Sequence, residues 1–206
     1  MRKLAMVVRL SSFCFIIGFA TIIYAQQTAI GFKGFALGGS MSSFKERFPD
    51  FKCEGTSCRF DLVRDCMMIG SQEKRAEESS KAFMACTERN SYGGIRPKVI
   101  SAKFVNDNLA RVLVVFSTKL FFEDLSSAMI SGFGQPTRRV REPVQNRMGA
   151  TFENEKLIWT AAGTTAILSK YGTTLEDGSV YVTSDKHVRD VEREQQERRQ
   201  KDARDL

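Results

Sequence analysis

Two periodicities alternate along this chain, one at helical spacing and one at every second residue, and together they predict most of its elements. After a glycine-rich stretch, Gly31 to Gly39, that reads as an extended or turning entry, Phe44 and Phe48 recur at i and i+4. Ser40 or Ser42 is placed to cap this short helix and Pro49 to stop it. Phe51 to Val63 sets Cys53, Cys58, Phe60 and Leu62 around Glu54-Gly55-Thr56-Ser57, which predicts strand, turn and strand. Glu73 to Ala85 is rich in helix formers, with Ala76, Ser79, Ser80 and Phe83 on one face of a peripheral helix. Asn90 to Pro97 reads as a loop.

The strongest signal is the pair of β-branched and aromatic runs Val99 to Val105 and Leu109 to Ser117 around Asn106-Asp107-Asn108, a hairpin. Phe122, Leu125, Met129 and Phe133 return to helical spacing and end at Gly134-Gln135-Pro136. Thr137 to Met148 reads as a basic loop. Thr151 to Phe152, Lys156 to Ala161, Thr164 to Lys170 and Ser179 to Ser184 then predict an antiparallel meander. Short connections force antiparallel neighbours, and the separated helices should cover one face of the sheet. The expected fold class is therefore α+β, a two-layer sandwich in which Ser42 to Pro49 and Phe122 to Pro136 each begin a helix-plus-meander half. Phe44, Phe48, Phe104, Phe116, Phe122, Phe133 and Trp159 fall on periodic faces and read as core.

The two ends differ from this body. Arg2, Lys3 and Arg9, the apolar run Leu10 to Ala20 and a small residue at Ala25 predict a secretory signal over 1–25, cleaved before Gln26. A retained anchor is the alternative, although Leu10 to Ala25 falls short of the roughly 20 apolar residues of a spanning helix. Cleavage removes three basic residues and no acidic one, so the formal charge falls from +7 to +4. Contact with a membrane is then expected only through the signal before cleavage. Residues 26–184 form one domain, and 185–206 is a charged tail with Asp185/Arg189, Glu194/Arg198 and Glu197/Lys201 at helical spacing. That tail lacks an apolar stripe and reads as a solvated helix, with a partner-docking arm as the alternative.

Export changes the reading of the cysteines. Cys14 leaves with the signal, and Cys53, Cys58, Cys66 and Cys86 form an even set in an oxidising compartment. Of the possible pairings, the spacing favours Cys53 with Cys58 across a hairpin and Cys66 with Cys86 around a polar loop. The spacing does not suit a zinc site, and no metal or other cofactor is expected.

Little else points to catalysis. The single histidine, His187, lies in the charged tail and reads as a bystander. The carboxylate pairs Glu123-Asp124 and Glu153 with Glu155 fit a helix first turn and a hairpin turn better than a hydrolytic site. No catalytic residue is assigned. Arg138, Arg139, Arg141 and Arg147 form the charge cluster suited to carboxylate or phosphate, and a solvated loop is the competing reading. Nucleic acid is not expected, given a formal charge of +4 and no recognition motif.

The segment Phe122 to Gly134-Gln135-Pro136, followed by Thr151 to Trp159, resembles the helix, Gly-x-Pro, strand and Trp-bearing strand pattern of small envelope assembly lipoproteins of the SmpA/OmlA type. The tandem helix-plus-meander arrangement also resembles β-lactamase inhibitor proteins built from two such units, and the whole chain resembles small periplasmic proteins of Gram-negative bacteria. The resemblance to the assembly lipoproteins covers about 60 residues of the second half, and the chain departs from it in lacking a lipobox and in its cysteine-bearing first half. It implies a periplasmic or secreted, non-catalytic binding or scaffolding protein that contacts a protein or anionic envelope partner. An inhibitor of a periplasmic hydrolase is the alternative, and a carboxylate hydrolase stands third.

Overall fold

The computed structural model describes residues 30–73 and 75–204. The expected signal over 1–25 lies outside them. The fold class is α+β, as the alternating periodicities imply. A small hairpin of β1 (Gly31–Phe32) and β2 (Phe35–Ala36) leads into helix α1 (Met41–Arg47), whose N-terminus is capped by the Ser40 side chain accepting from the Ser43 N–H. Strands β3 (Lys52–Glu54) and β4 (Ser57–Asp61) follow as a hairpin. Two helices come next, α2 (Leu62–Ser71) and α3 (Ala76–Arg89), before the hairpin of β5 (Val99–Val105) and β6 (Asn108–Ser117). Asn106 and Asp107 both take positive φ in that turn, the conformation these residue types tolerate best.

The second half repeats the order. Helix α4 (Thr118–Phe133) is followed by β7 (Arg138–Gln145), β8 (Thr151–Ala161), β9 (Thr164–Ser169) and β10 (Asp177–Ser184), and the chain ends in α5 (Asp185–Arg204). The main sheet has eight antiparallel strands in the order β3-β4-β5-β6-β10-β9-β8-β7. Each half is thus a helix followed by a four-stranded meander, and the halves join where their last strands, β6 and β10, pair antiparallel. An approximate twofold relation runs through that seam.

One face of the sheet is the core face. Cross-strand registers align Phe60, Ile100, Val114, Val180, Leu168 and Leu157 in one row, and Cys58, Ala102, Val112, Val182, Ala166 and Trp159 in the next, all buried. Over the first half, α1 and the small hairpin pack Phe32, Phe35, Phe44, Phe48 and Phe51 into an aromatic cluster that reaches Phe60 and Phe104. Over the second, α4 lays Phe122, Leu125 and Met129 on the sheet, and the Trp159 indole N–H donates to the Gly134 carbonyl at 2.8 Å. The aromatic residues expected in the core are there, apart from Phe133, which packs half-buried against Trp159.

Two elements differ from expectation. Helix α2 stands where no helix was anticipated, because Leu62 and Val63 read as the end of a strand while Asp61 in fact caps a helix by accepting from the Arg64 N–H. Thr137 to Met148 is no loop: all eight residues of β7 pair with β8, which is a single strand running through the turn expected at Glu153-Asn154-Glu155. The alternation in β7 was hidden because an edge strand that buries little need not carry apolar residues on either face.

Disulfides Cys53–Cys58 and Cys66–Cys86 are both formed. The first joins facing positions of the β3–β4 hairpin, and the second staples α2 to α3. Buried Asp65 ties α2 to the sheet, accepting from Lys52 Nζ and the Asp61 N–H at 2.7 Å each and from Arg64 Nε at 3.2 Å. Burial alone pushes the Asp65 carboxyl up, but these three donors outweigh it and hold the group below the usual carboxylate range.

Replacing Cys66 and Cys86 together with alanine should cost about 3 kcal/mol, the loop-closure entropy of such a span, read from the urea midpoint against the unreduced parent. At the seam, a Cβ on Gly178 would stand 2.4 Å from the Phe116 ring and 3.0 Å from the Lys170 carbonyl oxygen. Gly178→Ala should therefore lower stability by about 2 kcal/mol in the same assay, as overpacking does.

Candidate functional site

The helices other than α5 leave the opposite face of the eight-stranded sheet open, and its composition follows from the same registers. One cross-strand row reads Arg59, Ser101, Leu113, Tyr181, Ile167, Ile158 and Arg138. At strand spacing this row spans roughly 29 Å. Its apolar centre is half-buried by neighbouring side chains, and an arginine stands at each end. A parallel row on one side carries Val99, Val115 and Val140, and the row on the other side carries Lys103, Arg111 and Thr183.

Charge on this face is largely uncompensated. Arg59, Arg111 and Arg138 form no ion pair with any described residue, and Lys103 Nζ donates only to hydroxyls, Thr56 Oγ1 at 2.6 Å and Ser57 Oγ at 3.4 Å. Lys156, held at 2.5 Å by Glu142, and Lys52, in register with Arg59 and held at 2.7 Å by Asp65, are the exceptions, and the exposed Glu54 stands in the same row as Lys103. The face combines apolar contact area with guanidinium groups free to bind carboxylates, the composition of an interface core and its anchors.

The arginines that the sequence grouped are separated by the pleat. Arg138 belongs to the open face, but its neighbour Arg139 points to the helix side, paired in register with buried Leu157. Arg139 Nη1 lies 3.1 Å from Glu155 Oε1, and Arg141 reaches Glu153 at 3.7 Å and Glu155 at 3.8 Å. That Glu155 oxygen is enclosed and accepts no well-aligned hydrogen bond, so charge alone holds it there. Arg147 sits apart, in the β7–β8 turn beside Met148, whose side chain is 91% exposed. The four arginines do not converge on one ligand position.

The carboxylates considered for hydrolysis are dispersed as well. Glu123 and Asp124 are exposed on α4, Glu153 is exposed on β8, and Glu155 is taken by Arg139 and Arg141. A cavity of about 480 Å³ lies between the start of α4 and the 170–176 segment, where Lys170 Nζ stands 5.8 Å from the Phe122 and Tyr171 rings. Glu123 and Glu176 line its rim. Among the described residues, no group of three or more His, Cys, Asp or Glu side chains is placed to hold a metal ion.

Sequence reasoning missed Arg59, Lys103, Arg111 and Tyr181, which belong to four different strands and become neighbours only through pairing. The available signal was strand phase: each lies one residue away from a core position such as Phe60, Ala102, Val112 or Val182. His187, expected to be exposed, is half-buried. Helix α5 crosses the open face at its Lys103–Arg111 corner, and His187, Asp190 and Glu194 line a cavity of about 440 Å³ shared with those two cations. Partial burial and the Arg111 cation push the imidazole below its ordinary value, opposed by Asp190 and Glu194 and reinforced by Lys103.

Searches of family models, of curated proteins and of solved structures find no match to this chain. Its site is therefore described by its own geometry.

The depressed His187 has a definite sign in linkage. The unfolded or undocked state takes up the proton first as pH falls below about 6.5, so docking of α5 weakens from there down through the lower folded value. The protection factors of amides 186–194, which remove the intrinsic slowing of exchange toward acid, should fall between about pH 7.5 and 5.5, and His187→Gln should flatten that dependence. Equal slopes in parent and variant would refute a role for the imidazole.

Proposed function

We propose that this is an exported, non-catalytic binding protein of the bacterial cell envelope whose open sheet face captures a partner protein. The observation that carries the reading is the row Leu113, Tyr181, Ile167 and Ile158, apolar and uncovered by helix, with unpaired Arg59 and Arg138 at its ends. Burying such a row against a partner supplies the hydrophobic gain, and the free guanidinium groups supply orientation and selectivity for acidic side chains. Two disulfides point to an oxidising compartment, and the signal expected over 1–25 narrows that to the periplasm or the exterior. No helix among the described residues is long and apolar enough to cross a membrane. The fold provides a wide, preformed surface with no need for a cofactor in this role.

A second reading, inhibition of a periplasmic hydrolase, is favoured by one feature. The β7–β8 hairpin runs beyond the end of β9, since β8 pairs with β9 only from Lys156 onward while β7 follows it back to Thr151. Arg147 and Met148 stand at the projecting tip, a shape that suits a cleft.

A photo-crosslinking phenylalanine derivative in place of Tyr181 should yield one discrete adduct in intact cells. The same group at Leu120, exposed on the helix side, should yield none. Arg59→Glu with Arg138→Glu should abolish the Tyr181 adduct while leaving the urea midpoint within about 0.5 kcal/mol of the parent, as surface changes do. An adduct from position 148 and none from 181 would transfer the function to the hairpin tip. No adduct from either position would overturn both readings.

A further inference from the structure

We propose that the Lys103–Arg111 corner of the open face is a receptor for a helix that presents an acidic side, that α5 with Asp190 and Glu194 is its resident occupant, and that a partner binds by displacing α5 with a helical segment bearing the same pair of acids. The inference rests on the open face being the binding surface and names the partner's chemistry. Thr183 shows that the corner is covered: its register places it on the open face beside Arg111, yet it is only 2% exposed. The cover is α5, whose positions 187, 190, 191 and 194 follow helical spacing along one side. That side presents Asp190 and Glu194 around Val191, opposite two cations.

The fit is attractive without being locked. Neither acid forms an ion pair with Lys103 or Arg111; Asp190 is held by Lys186 at 2.7 Å and Arg193 at 2.9 Å, and Glu194 by Arg198 at 3.8 Å, all on α5 itself. A cavity of about 440 Å³ remains between helix and sheet, and a second of about 440 Å³ lies where Lys186 and His187 face Leu37 and Asn108. Firm attachment is confined to the first turn, where the Asp185 N–H donates to the Gly163 carbonyl at 2.8 Å, Thr165 Oγ1 donates to Asp185 Oδ1 at 3.2 Å and the His187 N–H donates to Ser184 Oγ at 3.2 Å. Val188 is exposed, so lifting the helix about that turn uncovers little apolar surface. Lys103 and Arg111 lie one row from Leu113 and Tyr181, about 7 Å away at strand rise, and a partner seated on the apolar row meets the helix there. The matching segment is a helix with Asp or Glu at i and i+4 and an aliphatic residue between them on the same side.

The test uses the full chain and a fluorescein-labelled peptide of residues 185–204 as probe. Fluorescence anisotropy should show weak binding to the parent and at least tenfold tighter binding to the Asp190→Lys, Glu194→Lys chain, whose own helix is repelled from the corner. Adding Lys103→Glu and Arg111→Glu should remove the gain, and α5 amides in the Asp190→Lys, Glu194→Lys chain should exchange faster than in the parent. The milder Asp190→Asn, Glu194→Gln pair should move affinity and exchange in the same direction by a smaller factor. Equal peptide affinity for parent and variants, or unchanged α5 exchange, overturns the proposal even if the Tyr181 adduct forms. A tight peptide complex with no adduct at Tyr181 upholds the acidic-helix corner and overturns the wider open face as the partner's seat.

Discussion

The antiparallel pairing of β6 with β10 is the contact on which the rest of the molecule depends. Each half of the chain folds locally into a helix and a four-stranded meander, and each meander alone would end in a long, apolar edge strand. Joining Val112, Val114 and Phe116 to Val182, Val180 and Gly178 removes both edges at once and makes one core from two. The fit is close enough that Gly178 has no room for a side chain beside the Phe116 ring. The remaining edges are handled differently: β3 is only three residues long, and β7 is charged and carries Pro143.

Because all the covering helices except the last lie on one side, the sheet is asymmetric in use. The core side concentrates aromatic burial from α1 and α4, which gives the rigid platform. The α2–α3 insertion sits off this platform with Val63, Met67 and Met84 exposed, and the Cys66–Cys86 disulfide together with Asp65 compensates for its thin core. The other side, away from the corner that α5 occupies, is uncovered by helix.

Electrostatics divides along the same plane. The pleat sends alternate arginines of β7 to opposite sides: Arg139 and Arg141 meet Glu153 and Glu155, whereas Arg138 joins Arg59, Lys103 and Arg111 on the open side without an acidic partner. Helix α5, with acidic and basic residues along its whole length, sets Asp190 and Glu194 at one corner of that surface, beside the half-buried His187.

Local sequence by itself determined the elements whose signal is periodic and whose punctuation is chemical. Phe44 and Phe48 between a serine cap and Pro49, the Asn106-Asp107 turn, the Phe122 to Phe133 helix, the strands after Gly149 apart from the turn expected at Glu153-Asn154-Glu155, and the two disulfide pairs were readable, because most of these depend on neighbours a few residues away. Strand β7 was not readable, because an edge strand pairs on one side only and needs no apolar alternation. Helix α2 was hidden by a junction residue, Asp61, that serves strand and cap at once. Strand order was decided only in three dimensions, and with it the composition of the open face. Arg59, Lys103, Arg111 and Arg138 are scattered over four strands, and hydrogen-bonded register, a long-range property, brings them onto one surface.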